Sequence, residues 1–210
     1  SLQKIRGDFQ DSKTNIWIGT QMVAKGLDFD NVTLIGVINA DTLLNFPDFR
    51  AFERSYQLLS QVSGRAGRRV KQGKVCIQAY DDKHRIIKQV VENNYIEMYE
   101  DEINERSQFN YPPFSRLIFL SMRHKDADVL NAASQQFAQT LRARLGSRVL
   151  GPEQPLVSRI RNYYIRQIII KSDKHTAVHK VKALLKSEIT TFYAEKVFKG
   201  VSIQLDVDPY

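Results

Sequence analysis

Apolar positions change their spacing near the middle of this chain, and the change separates two kinds of architecture. VTLIGVIN (32–39) is almost continuously apolar and β-branched, which predicts a strand buried on both faces of a parallel sheet. NIWIGT (15–20) predicts a shorter strand running into a polar loop, and KVCIQAY (74–80), after the turn residue Gly73, predicts a third. Pro47 and Asp48 signal a helix start, with the helix expected over about 49–66. Strand, helix and strand at this spacing predict a parallel α/β sheet. Residues 83–106 read as continuously helical, with Ile86, Ile87, Val90 and Val91 on one face. Pro112 and Pro113, in NYPPF (110–114), cannot continue a helix and set a boundary.

The last hundred residues have another rhythm. SRLIFLSMR (115–123) predicts a strand. Asp126 is placed to cap a helix in which Val129, Ala133, Phe137, Leu141 and Leu145 recur every four residues until Gly146 ends it. A weakly marked strand at about 148–150 precedes a loop holding Pro152 and Pro155, and YYIRQIIIK (163–171) is a strong strand. Asp173 is placed to cap a second helix with Val178, Val181, Leu185 and Phe192 inward. VSIQLDVD (201–208) alternates, with Val201, Ile203, Leu205 and Val207 inward. The order βαββαβ is that of a ferredoxin-like α/β sandwich. The expected organisation is therefore a parallel-sheet region over 1–82, a helical connector over 83–109 and an α/β domain over 110–210.

Charge changes the picture more than composition does. The net charge of +8 favours polyanionic partners, and nucleic acid is the commonest. Arg65, Arg68, Arg69, Lys71 and Lys74 form one basic patch without acids, and Arg159, Arg161, Arg166 and Lys171 form another. Glu92, Glu97, Glu100, Asp101, Glu102 and Glu105 lie between them without a base. Each patch has a plainer reading as a solvated face. Cys76 is the single cysteine, which excludes an internal disulfide and a cysteine zinc site; in its apolar run a buried thiol is expected. No stretch approaches the roughly 18 apolar residues of a membrane span, and a cytoplasmic, non-membrane protein is expected. His175 and His179 stand at i, i+4 without a third ligand, so no metal site is predicted. Phe46, Phe49, Phe52 and Tyr56 read as helix-face packing.

The sharpest candidate chemistry is QVSGRAGRR (61–69). On a helix, Gln61, Arg65 and Arg68 fall at i, i+4 and i+7, within roughly 60° of one face. Two guanidiniums and a carboxamide converging there suit a phosphate group, while Gly64, Ala66 and Gly67 permit close approach. GTQMVAKGLDF (19–29) follows the first expected strand. Its Gly-Thr turn offers backbone N–H groups and a hydroxyl; Lys25, Gly26 and Asp28 add a cation, a close-approach point and a carboxylate able to accept from ribose hydroxyls. In the last third, Arg159, Arg161, Arg166 and Gln167 stand with Tyr163 and Tyr164, cations beside aromatic faces that suit nucleic acid. An edge strand kept soluble by its charges is the plainer alternative.

GTQMVAKGLDF and QVSGRAGR resemble motifs V and VI of superfamily 2 helicases. ADTLLNFPDFRAFERSYQLLSQVSGRAGR (40–68), YPPFSR (111–116), LGPEQP (150–155), SRIRNYYIRQIIIK (158–171) and LDVDP (205–209) are similar to the PriA family of primosomal replication-restart helicases, and the resemblance covers essentially the whole chain. It implies a partial RecA-like parallel-sheet lobe, followed by a C-terminal domain that binds branched and single-stranded DNA. It implies that Arg65 and Arg68 are arginine fingers reaching the γ-phosphate, with Gln61 sensing the nucleotide beside them. Thr20, Gln21 and Gly26 would belong to the loop coupling nucleotide state to single-stranded DNA, with Lys25 on its DNA side and Asp28 facing the nucleotide. The implied parent is a 3′→5′ DNA helicase using ATP and Mg²⁺, with zinc in a module outside this sequence. Its implied partners are the tail of single-strand binding protein and other primosome proteins. Family members usually carry a basic residue and a Trp in this strand; here Tyr163 and Arg166 stand nearby instead. No GxxxxGK[ST] occurs, and Gly73-Lys74 is followed by Val75 at the start of a strand. The sequence alone is therefore expected to bind no cofactor and to hydrolyse no ATP. Another superfamily 2 fork translocase, or a non-catalytic scaffold using the GRAGR segment as a phosphate clamp, is the alternative reading.

Overall fold

A β-branched run needs partner strands, and the first one finds a single partner among the described residues. Leu34–Val37 (β1) pairs in parallel with Lys74–Ile77 (β2), in register from Leu34↔Lys74 to Val37↔Ile77. The computed structural model describes residues 2–20, 32–64, 73–173 and 178–208, and the chain divides into two units, residues 1–105 and 106–210. In the first unit, helices Leu2–Gln10 (α1), Asp41–Leu44 (α2), Ala51–Ser63 (α3), Arg85–Val91 (α4) and Tyr95–Gln108 (α5, which runs into the second unit) accompany the two strands.

Val37, Ile77 and Ala79 pack against a small core of Leu44, Tyr56, Leu59, Ile86, Ile87, Val90 and Met98. The other face of the pair is open. Leu34 and Ile38 are 61% and 77% exposed, which corrects the expectation of burial on both faces. Among the described residues, helices cover one side only, and the period of two sends every second side chain to the other. Cys76 pairs with Gly36 on that side and is exposed, not buried. Residues 15–20 form no strand, and Ile16 and Ile18 are exposed. Neither β1 nor β2 pairs with them, and a lone strand leaves its backbone groups without partners.

Residues 83–106 are two helices, not one. Asn93 adopts a left-handed backbone (φ 54°), a conformation that asparagine tolerates better than most residues. Asn94 then starts α5 with a reciprocal pair: its Oδ1 accepts from the Glu97 N–H at 3.1 Å, and its amide donates to the Glu97 carboxylate at 2.6 Å. The break turns Val91 out to solvent, against the expected inward position. Arg85 on α4 ties the helices together through Glu105 at 2.5 Å and Glu102 at 3.6 Å.

The second unit is an antiparallel sheet with two helices on one face. Its strands are Ser115–His124 (β3), Val149–Glu153 (β4), Arg159–Ile160 (β5), Tyr163–Asp173 (β6) and Ser202–Val207 (β7). The order across the sheet is β4-β6-β3-β7, every neighbour antiparallel, with β5 hairpinned onto β6. Helices Ala127–Leu145 (α6) and Val178–Ala194 (α7) complete the order β-α-β-β-β-α-β, the short β5 being the addition to the expected six. Asp126 caps α6, its Oδ1 accepting from the N–H groups of Asp128 and Val129, and Gly146 ends it at φ 63°. Asp173 is the last described residue of β6, and the residues that it is expected to cap, 174–177, lie outside the described residues.

One core joins the layers. Ile118, Leu120, Met122, Ile168 and Ile170 from the sheet meet Leu130, Phe137, Leu141, Val181, Leu185 and Phe192 from the helices. Each such side chain contributes roughly 1.5–3 kcal/mol by leaving water. Leu205 faces the same side but is 41% exposed, because β7 is an edge strand with one flank open.

Candidate nucleic-acid interface

The residues that sequence reasoning assigned to a nucleotide site are only partly in view. Thr20 and Gln61 are exposed, Gln61 on the last turn of α3, which ends at Ser63 with Gly64 as its C-cap. Gln21, Lys25, Gly26, Asp28, Arg65 and Arg68 lie outside the described residues, as does His175. Of the aromatic series, Tyr56 is buried and Phe52 packs on the same core, whereas Phe46 is exposed ahead of the helix.

The second basic patch is fully described, and the period of two divides it. Tyr164 and Arg166 share parity with Ile168 and Ile170 and lie on the helix side of the sheet. Tyr163 and Gln167 lie on the opposite side. One linear run, RNYYIRQ, therefore supplies two surfaces.

β5 and β6 form a hairpin in the register Arg159↔Tyr164 and Ile160↔Tyr163, with Arg161 and Asn162 at its tip. Arg161 takes φ 54°, a left-handed conformation that glycine or asparagine adopts at less cost. It is exposed and has no ion pair among the described residues. A charged side chain is thus displayed at a position where backbone strain argues against it, which is the direction in which function is inferred from strain.

On the helix side, Arg159 lies over the ring of Tyr164, 4.9 Å from its centroid. The guanidinium of Arg166 is aimed by two carboxamides: its Nε donates to Asn131 Oδ1 at 2.7 Å, and a terminal nitrogen reaches Gln154 Oε1 at 3.5 Å. These groups surround a cavity of about 270 Å³, completed by Ser158 and the apolar Ala127, Leu130 and Ile165. Among the described residues, the charged side chains in its wall are Arg159 and Arg166, and no carboxylate lines it. Sequence reasoning found both arginines but not Asn131, which comes from the second turn of α6, nor Gln154 and Ser158, which come from the proline-bearing loop. Gly151 lies in β4 just before that loop, where the register with β6 shifts between Leu150 and Glu153: at φ 88°, a Cβ would sit 2.8 Å from the Gln167 carbonyl oxygen.

On the other side of the sheet, the Lys125 ammonium stands 5.7 Å from the Tyr163 ring centroid. Lys171 is used internally. Its Nζ donates to the Phe109 carbonyl at 2.8 Å and sits 3.8 Å above the centre of the Tyr111 ring. These contacts tie it to the segment of Phe109 and Tyr111, and burial pushes its pKa below the usual lysine value.

Comparison with known proteins places this geometry. Residues 107–210 match the family model described as the primosomal protein N C-terminal domain. Over 99% of its length, the chain is 39% identical to the replication restart protein PriA of Bacillus subtilis. The chain belongs to the PriA family. It is also 36% identical over 96% of its length to the replication restart protein PriA of Synechocystis, and 35% identical over 99% to that of Treponema pallidum. It spans 26%, 24% and 31% of those three proteins, roughly a quarter of the length of the curated relatives. The arginine-bearing cavity and the β5–β6 hairpin both fall inside the matched C-terminal domain of this PriA-family chain. No described helix is long and apolar enough to cross a membrane, and no described cluster of His, Cys, Asp or Glu suits a metal ion.

Proposed function

We propose that this chain works as part of an ATP-dependent 3′→5′ DNA helicase that recognises stalled or branched replication forks and starts primosome assembly for replication restart. The observation that carries this reading is identity along almost the whole chain to proteins named for replication restart, joined to a basic hairpin whose arginines have no acidic partners among the described residues. In this reading β1, β2 and their helices are the rear of a RecA-like second motor lobe, and residues 110–210 are a ferredoxin-like sandwich. Its sheet order, first strand central and paired with third and fourth, supports that assignment. Arg65 and Arg68 act as arginine fingers on ATP bound with Mg²⁺ by another part of the parent, where such fingers contribute about 10³–10⁵ in rate. Gln61 senses the nucleotide; Thr20, Gln21, Lys25, Gly26 and Asp28 link it to single-stranded DNA. Zinc belongs to a separate module of the parent. Arg159, Arg161, Arg166 and Gln167 bind DNA, and the same domain meets the tail of single-strand binding protein and other primosome proteins.

Fork-DNA binding by fluorescence anisotropy tests the reading. Affinity is expected to fall steeply between low and moderate salt, as phosphate neutralisation requires, and to fall further in Arg159→Ala and Arg161→Ala. A salt-independent signal, or arginine variants that bind as tightly as the parent sequence, would remove the DNA-binding role. The chain alone is expected to show no DNA-stimulated ATP hydrolysis above a buffer blank.

A further inference from the structure

Deepening that DNA-binding reading, on which it rests, we propose that the cavity between the start of α6 and the β5–β6 hairpin is a binding site for a single phosphate-bearing nucleotide unit. The wall is unbalanced in charge, with two guanidiniums and no carboxylate. Arg166 is oriented before any ligand arrives, since its Nε donates to Asn131 Oδ1 at 2.7 Å, with Gln154 Oε1 standing 3.5 Å from a terminal nitrogen. Its other N–H groups remain to grip two oxygens of one phosphate, a geometry that a planar fork provides and an ammonium does not. Arg159 is placed by its register on β6 and by its stack on Tyr164.

What surrounds the arginines argues for a nucleotide over a bare anion or a peptide. With their oxygens turned to Arg166, the carboxamides of Asn131 and Gln154 keep N–H₂ donors, and Ser158 adds a hydroxyl, so the cavity is rich in groups that read base or sugar acceptors. The Tyr164 ring already carries Arg159, and the apolar Ala127, Leu130 and Ile165 give a base or sugar a surface to pack on. At about 270 Å³ the space falls just below the roughly 300–1,000 Å³ of drug-sized ligand pockets, enough for one nucleotide and not for a run of them. The shared chemistry is a phosphate ester on a nucleoside, supplied by the end of a DNA strand or by a free nucleotide.

The experiment uses the whole 210-residue chain and a short single-stranded oligonucleotide labelled at its 3′ end, followed by anisotropy. Thymidine monophosphate is expected to bind, unmodified thymidine not to, and inorganic phosphate to bind far more weakly than the nucleotide. Arg159→Gln, an exposed position where misfolding is not at issue, should lower nucleotide affinity roughly tenfold or more, the effect of losing one charge-assisted hydrogen bond. Arg166→Gln should do the same and Arg166→Lys should not restore it, with circular dichroism confirming the fold. Tighter binding of a 5′-phosphorylated strand than of its 5′-hydroxyl twin assigns the site to strand ends; nucleotide binding without that preference assigns it to free nucleotides. The proposal is overturned by inorganic phosphate competing as well as the nucleotide, by an acidic peptide competing in its place, or by arginine variants of unchanged affinity. Fork binding that is salt-dependent and still falls in Arg161→Ala, while Arg159→Gln and Arg166→Gln leave nucleotide affinity unchanged, overturns this site and leaves the wider reading standing; absence of any DNA binding overturns both.

Discussion

The two units use their strands in opposite ways. In the second, every strand finds antiparallel neighbours and one face is sealed by α6 and α7, so Leu120, Met122 and Ile168 lose all contact with water. In the first, two parallel strands of four residues each leave alternate side chains in solvent, Leu34 and Ile38 among them. Parallel sheets usually have both faces covered, and among the described residues only one face of this pair is, whereas the second unit already satisfies its own sheet. The contrast bears on function: the second unit can hold its arginines in fixed geometry from its own core, while the described part of the first displays little more than Gln61 and Thr20.

Substitutions can break or sharpen this contrast. The largest effect is expected from Ile118→Lys, which places an unpaired charge in the second core and should abolish its cooperative unfolding transition in urea. Phe137→Ala should cost about 3–5 kcal/mol in the same transition, by lost burial and the cavity left behind. If either change moved only the first unit's transition, the independence of the second core would be lost. Gly151→Ala should cost about 1–3 kcal/mol through its positive φ and the clash with the Gln167 carbonyl, and should weaken DNA binding by displacing Gln154 and Ser158.

A smaller effect is expected from pH on the first unit. His84 accepts the Ile86 N–H at 3.3 Å through Nδ1 and so caps α4 in its neutral form. Burial lowers its pKa below the usual 6.5; Arg85 acts in the same direction, while Asp81 and Asp41 oppose it. With the folded value below the unfolded one, its contribution is complete above about pH 6.5 and declines as pH falls through that value. Thermal melts of the first unit at pH 7.5 and 5.5 should differ, and His84→Asn, which keeps a capping acceptor, should flatten the difference. The smallest effect should come from Ile38→Lys on the open face, within about 0.5 kcal/mol. A large loss there would show that the face is covered after all.

Legibility followed the same division. The pattern of the second half gave all its strands but the short β5, with the Asp126 cap and the Gly146 stop, because each depends on neighbours in sequence. The break at Asn93 was also readable, in Asn94 and Glu97 three positions apart, but the apolar periodicity on either side masked it. The strand expected at 15–20 failed for a different reason: its composition is right, yet a strand exists only with a partner. For the site, the arginines were visible as a charge cluster. Asn131 and Gln154 were not, since ordinary polar residues 23 positions apart acquire a joint role only when α6 and the loop after β4 converge on Arg166.

The sequence by itself determined the family, the change of architecture near residue 110 and the basic character of the last third, because motifs, prolines and charge are properties of the chain read in order. Tertiary structure decided which side of the sheet each arginine serves, which apolar residues are buried and which groups aim Arg166. Those depend on strand pairing and on the layer each face meets, where a shift of one residue exchanges the two faces and short-range patterning carries no record of the partner.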